Sequence, residues 1–203
     1  AEREAEIQLA IETKKNGVSM AVSEGYKNPG DDKWLTQQLA EALKHNTDLA
    51  VLEGKDPVYE NVKLQSNYNL GVIKQLIATN RPQQAQGYFK RHEKSFEGDD
   101  KNIAMSEITQ ANEKTLALSL FQQVQQFQLP AGEGIDESKA RAFVFGQKGL
   151  SDNQRFNAWS TVSALVNQEK VLRNEQYKSN DHAFLNEVTQ MRQNNLGVEQ
   201  AME

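Results

Sequence analysis

Stop signals recur along this chain at intervals that suit helices and leave no room for a sheet. Asn28-Pro29-Gly30, Gly54 with Asp56-Pro57, Asn80-Arg81-Pro82, Gly98-Asp99-Asp100, Leu129 to Gly134 and Gly149 to Asp152 are the breaks. Between them, apolar residues return every third or fourth position, as in Trp34, Leu35, Leu39, Ala42 and Leu43, or Val58, Val62, Val72, Ile73, Leu76 and Ile77. A strand would need an alternating β-branched run, and none is present. The spacing predicts an all-α chain of seven or eight helices, with short turns making successive helices antiparallel.

The breaks also fix the expected ends. The first helix runs from Glu2 to Tyr26, with Asn16-Gly17 as a weak point that would split it. Asp31 or Asp32 caps the second, since a carboxylate there accepts orphan N–H groups. Asp56-Pro57 supplies cap and first turn of the third. Further helices are expected from Pro82 to Phe96, Gly98 to Phe127 and Asp136 to Gln147. A long one starts at Ser151 or Asp152 and ends near Lys178, where Ser179-Asn180-Asp181 caps a last helix. The Leu129–Gly134 loop divides the chain into a helical-hairpin array over 1–128 and a C-terminal subdomain over 135–203, or joins them in one continuous domain.

Composition narrows the architecture. Side-chain amides are in excess, with 21 Gln and 17 Asn, and hydrophobic residues make up 37% of the chain. The mean hydropathy is -0.74. Amide-rich helices are well solvated and pair sideways without charge conflict, which suits an elongated array with little core per residue. Stacked hairpins of this kind follow the physics of tetratricopeptide repeats, although the characteristic repeat pattern is not met.

The same composition excludes several functions. The net charge is -5, so the basic surface that drives most nucleic-acid binding is missing. Lys90, Arg91 and Lys94 make one small basic face, read first as a solvated helix surface. The absence of cysteine rules out disulfides and thiolate chemistry. No apolar run approaches the roughly 18 residues that span a bilayer, and no Lys-rich amphipathic face suggests direct membrane insertion. No signal peptide is visible, and the first residue is not Met, so the chain reads as a piece of a longer protein.

Chemistry is thinly represented. The three histidines, His45, His92 and His182, have no acidic partner spaced for a triad on one helix face. No metal motif or phosphate loop is present, and Asp31-Asp32 and Asp99-Asp100 read as caps. Gly132-Glu133-Gly134 lacks the third glycine and preceding strand of a nucleotide fingerprint. A glycan-cleaving enzyme needs a raised-pKa Glu in a cleft. Ser23-Glu24-Gly25 and Asp136-Glu137-Ser138 come nearest, without the Gly-rich, Gln-containing segment that follows in such enzymes. No catalytic residue, cofactor or metal is expected.

One segment carries a resemblance. From Val72 to Val124 a helix ends at Thr79 to Pro82. Ala85 to Phe89 and a polar helix to Phe96 follow, then the Asp-rich turn Gly98 to Asp100 and a long helix from Ile103 to Val124. This order resembles a recurrent segment of large bacteriophage internal virion, or DNA-ejection, proteins and related particle-associated proteins. Some of these carry a peptidoglycan-cleaving domain elsewhere. Arg81-Pro82 stands where that turn often has Gly. The matching residues are turns and packing positions, so no catalytic residue carries over.

The resemblance implies a non-enzymatic role in particle assembly or genome ejection across the host envelope. It places the protein in the virion, with other virion proteins and further copies of itself as partners and no small-molecule substrate. The residues expected to face a partner are Tyr88, Phe89, Lys90 and Arg91, together with Phe121 and Phe127 in the amide-rich stretch that closes the long helix. Two alternatives stay open: a helical-repeat adaptor for a partner protein, and a segment of a peptidoglycan-cleaving enzyme.

Overall fold

A computed structural model describes residues 2–129 and 134–200. Among them the protein is all-α, with seven helices: α1 Glu2–Lys27, α2 Asp32–Leu52, α3 Pro57–Ala78, α4 Pro82–His92, α5 Gly98–Val124, α6 Glu137–Phe145 and α7 Asp152–Gln200. Short 3-10 turns follow α4 at Glu93–Ser95 and α5 at Gln125–Phe127. A lone antiparallel bridge joins Gln128 to Ile135. The expected Leu129–Gly134 loop falls partly on residues 130–133, outside the described residues.

The ends form where local chemistry dictates. Asp31 Oδ1 accepts the Trp34 N–H at 3.0 Å to cap α2, and Asp56 Oδ1 accepts the Val58 N–H at 2.9 Å to cap α3 ahead of Pro57. Ser151 and Gln154 form a reciprocal capping box at α7, with Gln154 Oε1 accepting the Ser151 N–H at 2.9 Å and Ser151 Oγ accepting the Gln154 N–H at 3.3 Å. At the far ends, α2 and α3 stop in the same way. Gly54 and Asn80 take left-handed φ of 68° and 59°. Lys55 N then reaches Ala50 O, and Arg81 N reaches Leu76 O, each at 2.8 Å.

The chain divides into two compact units, 1–112 and 113–203, so the division falls inside α5 and not at the loop near residue 130. The first unit holds α1 to α4 and the start of α5. Trp34 Nε1 donates to Glu24 O at 2.9 Å, and at the other end of the pair Lys14 Nζ meets Asp48 at 2.6 Å, so α1 and α2 are antiparallel. Tyr68 Oη donates to Leu35 O, and Asn61 bonds Thr47 and Asn46, which sets α3 antiparallel to α2. Direction reverses again at α4. α5 then runs alongside α3, with Ser66 at Asp100 and Lys74 at Glu107. The core is built from Leu35, Tyr68, Val72, Ile73, Leu76, Tyr88, Phe89, Phe96 and Ile108.

The second unit packs Ala117, Leu120 and Val124 of α5 against Ala140 and Val144 of α6 and Ala158, Val162 and Val166 of α7. Asn157 pairs with Glu113 and Gln125 pairs with Glu169, both across a sequence separation of 44. A constant separation means that α5 and α7 run parallel and in step. The α5 residues at the head of this unit therefore serve the second core, which explains why the division lies upstream of the loop.

Two sequence expectations are corrected here. Asn16-Gly17 does not split α1, which is continuous. Gly17 is instead a contact residue: a Cβ there would sit 2.8 Å from the His45 ring. Nor do Ser179-Asn180-Asp181 start a new helix, because α7 passes through them unbroken. None of the three is Gly or Pro, and inside a helix each costs only tenths of a kcal/mol relative to good helix formers.

Candidate interaction surfaces

The α4 surface was the first place expected to meet a partner, and the structure divides its residues. Tyr88 and Phe89 are corrected to core positions, since both are buried. Tyr88 Oη donates to Asn69 Oδ1 at 2.7 Å, and the Phe89 ring lies 5.2 Å from that of Phe96. Aromatic residues at helical spacing carry no label for the side they face, so sequence alone does not separate anchor from contact. Lys90 and Arg91 are exposed. Arg91 is tied back to the bundle, with Nη2 at 2.9 Å from Asp32 Oδ1 and its guanidinium 6.0 Å from the Tyr88 ring.

Beneath Arg91 lies a cleft of about 310 Å³ lined by Asp32, Leu76, Gln83, Gln84, Gly87 and Tyr88, with Pro29 and Gly30 at its edge. Among the described residues its charges are Asp32 and Arg91, which neutralise each other. His92 stacks on Tyr88 at 4.3 Å between ring centroids. Burial, and then the Arg91 charge, hold the imidazole pKa below its usual value. Burial also raises the Tyr26, Tyr68 and Tyr88 hydroxyls, which are neutral hydrogen-bond donors at ordinary pH. The cleft offers the Gln83 and Gln84 amides and one ion pair, an arrangement suited to hydrogen-bonding a polar chain.

The tyrosine layer under this cleft depends on two missing side chains. Tyr26 and Tyr68 stack with centroids 5.6 Å apart. A Cβ on Gly25 would lie 2.1 Å from Tyr68 Oη, and one on Gly71 would lie 2.0 Å from Tyr26 Oη. The Gly71 expected to permit close helix approach does so by admitting Tyr26. Asn69, fully buried beside this layer, keeps its Nδ2 without a hydrogen-bond partner.

In the second unit Phe121 and Phe127 are half-buried and pack on the core; Phe127 meets Phe143 edge-on at 5.7 Å. They support the unit more than they advertise a surface, and they belong to a different unit from Tyr88 to Arg91. Two carboxylates in the segments nearest to a glycan-cleaving pattern, Glu24 and Asp136, have local roles. Glu24 pairs with Lys27. Asp136 Oδ1 accepts the Lys139 N–H to cap α6, which holds its carboxyl below the usual range. Among the described residues no group of three His, Asp or Glu converges as a metal site, and no helix is long and apolar enough to cross a membrane.

Exposed apolar side chains also lie elsewhere, some at positions such as Val58 that share the helical spacing of buried ones. One group, Val51, Leu52, Val58 and Tyr59, sits at the α2–α3 turn. Another lies along α7, where Val171, Leu172, Tyr177 and Leu185 are 55%, 58%, 52% and 58% exposed. Comparison of the chain with protein-family models, with curated proteins and with solved structures gave no match.

Proposed function

We propose that this chain is a non-enzymatic structural segment of a phage particle protein, acting in particle assembly or in genome ejection across the host envelope. One structural observation carries the reading: α7 bears exposed apolar side chains at Val171, Leu172 and Leu185, on a helix that continues to Gln200. Exposed apolar side chains set along a helix are a usual mark of a surface completed by another subunit. The resemblance over Val72 to Val124 supports the phage assignment, and the amide-rich helix faces suit assembly with little charge repulsion. The partners are other virion proteins and further copies of this chain.

Mass spectrometry of purified phage particles, full and after triggered DNA release, tests the reading. Peptides of this chain in full particles that are depleted after release establish an ejected protein. Peptides retained in emptied shells establish a fixed component. Absence from both overturns the virion assignment. The polar cleft under Arg91 favours a second reading, a helical adaptor that holds an extended partner segment. A zymogram on peptidoglycan checks the remaining alternative, since cleared bands from the purified chain would establish an enzyme.

A further inference from the structure

We propose that the cleft between the α1–α2 turn and α4 binds an extended peptide segment of a partner protein carrying a single carboxylate, with Arg81 as the anchor. This rests on the adaptor reading given above and needs no particle. The cleft beneath Arg91 adjoins a second one of about 300 Å³, lined by Lys27, Asn28, Asp31 and Arg81. Pro29, Gly30 and Gln84 line both, so the two lobes meet across these residues.

Charge selects the anchor. Lys27 is paired with Glu24, and Arg91 with Asp32. Arg81 is half-buried, and its Nε donates to Thr79 Oγ1 at 3.0 Å. Among the described residues it forms no ion pair. Asp31 lines the same lobe, but its Oδ1 accepts the Trp34 N–H at the start of α2, where the helix dipole holds its charge. A guanidinium partly removed from water and lacking an anion is the group here that a carboxylate satisfies best, through two parallel N–H bonds. Asp31 and Asp32 line the cleft and the chain carries a net charge of -5. Both repel a polyanion and favour one carboxylate in an otherwise neutral segment.

Space is the second support. Gly30 has no left-handed φ, so its backbone does not require glycine. A Cβ there would lie 2.9 Å from Arg81 Nη1 and 3.4 Å from Gln84 Oε1. The missing side chain lets both groups lie over the turn where the lobes meet. Gly87 sits inside α4, where glycine weakens a helix. A Cβ there would meet Arg91 Nη1 at 3.5 Å, an ordinary contact, so packing does not require glycine either. Its absent side chain leaves room in the cleft. Gln83 Nε2 is engaged by Asn112 Oδ1 at 3.2 Å. Gln84 is exposed, and among the described residues its amide bonds no other side chain. It offers a donor and an acceptor together, as the backbone of an extended segment requires.

The test titrates the full nitrogen-15-labelled chain with a pool of blocked pentapeptides that have Glu fixed at the centre and Ser, Ala, Asn or Leu elsewhere. A matched pool has Gln at the centre. The Glu pool is expected to shift the amide signals of Gly30 and Gln84 and the Nε–H of Arg81, and the Gln pool to bind more weakly. Arg81→Gln should weaken binding of the Glu pool about tenfold or more. Asp32→Asn releases Arg91 and should strengthen it by about threefold. Gly87→Gln fills the cleft with a good helix former, so the melting temperature holds or rises while binding weakens. A glycine needed only for packing would give the opposite melting result. No shift at these residues overturns the site. Equal binding of the two pools, or binding unchanged in a folded Arg81→Gln, overturns the anchor. Glutarate binding as tightly as the Glu pool overturns the peptide class. Loss of the anchor with peptides still bound along the cleft would leave the adaptor reading standing.

Discussion

The two units solve the problem of a small core in different ways. The first, 1–112, builds its centre from large amphipathic side chains, with Tyr68, Tyr88 and Asn69 fully or almost fully buried. The second, 113–203, fills its centre with Ala117, Leu120, Val124, Ala140, Val144, Ala158, Val162 and Val166. Tyrosine brings more apolar area per residue, but each hydroxyl needs a partner. Here the partners are Leu35 O and Asn69 Oδ1, and they hold α2, α3 and α4 at one register. The small aliphatic core asks for no partner and specifies register only by shape. The polar core is therefore expected to be more sensitive to single-atom changes, and the aliphatic one more tolerant.

The largest test of that contrast is Tyr68→Ala, expected to cost about 3–5 kcal/mol by cavity formation and loss of the Leu35 bond. Val162→Ala in the second unit is expected to cost about 2–3 kcal/mol. The two tryptophans fall one to each unit, Trp34 and Trp159. Denaturant titration followed by fluorescence, with one tryptophan changed to Phe in turn, reads each unit separately. Equal losses from the two substitutions would erase the distinction.

Two glycines sharpen it further. Gly25→Ala drives a Cβ onto Tyr68, which is enclosed and cannot retreat, for an expected loss of about 1–3 kcal/mol. Gly71→Ala meets Tyr26, which is half-buried and can swing toward solvent, so its loss is smaller. A reversed order in thermal melts would show that Tyr26, not Tyr68, is the fixed member of the stack. Tyr88→Phe removes one oxygen and leaves Asn69 with neither polar atom paired, for an expected loss of about 1–2 kcal/mol. Finding Tyr88→Phe neutral would mean that solvent reaches Asn69.

The smallest effects are in pH. The His92 pKa lies below its unfolded value of about 6.5. Its neutral form is therefore favoured by folding: the contribution is complete above about pH 6.5 and is lost as pH falls through the lower folded value. Tyr68 and Tyr88 are raised above about 10. Their contribution is complete below that pH and fades as pH rises toward the folded values. The Trp34 signal should lose stability at both ends. His92→Gln should flatten only the acid limb. An acid limb unchanged in His92→Gln would assign that loss to carboxylates.

The helix ends were legible because they are local. Asp31, Asp56 and Ser151 cap their helices through bonds to N–H groups two or three residues away, and Pro57 and Pro82 open theirs. α5 starts at Gly98 as expected, but its cap is not the local Asp99-Asp100: those lie inside its first turn, and Ser66 of α3 accepts the Glu97 N–H at 2.9 Å and donates to Asp100. No local pattern announces a cap delivered from 31 residues away. The candidate surface was far less legible. Tyr88 and Phe89 share a four-residue run with Lys90 and Arg91, yet the first two are core and the last two are surface. The apolar positions that are in fact exposed, such as Leu172 and Val58, have the same spacing as buried ones.

By itself the sequence determined that this chain is helical, where most helices begin and stop, and that its faces are rich in amides. Those properties depend on backbone geometry and on neighbours within a few positions. Tertiary structure alone decided that α5 serves two cores, that Gly17, Gly25 and Gly71 make room for rings from other helices, and that α7 continues past the end of α5. These depend on which helix ends beside which. That is set by packing between residues distant in the chain, which a one-dimensional period does not encode.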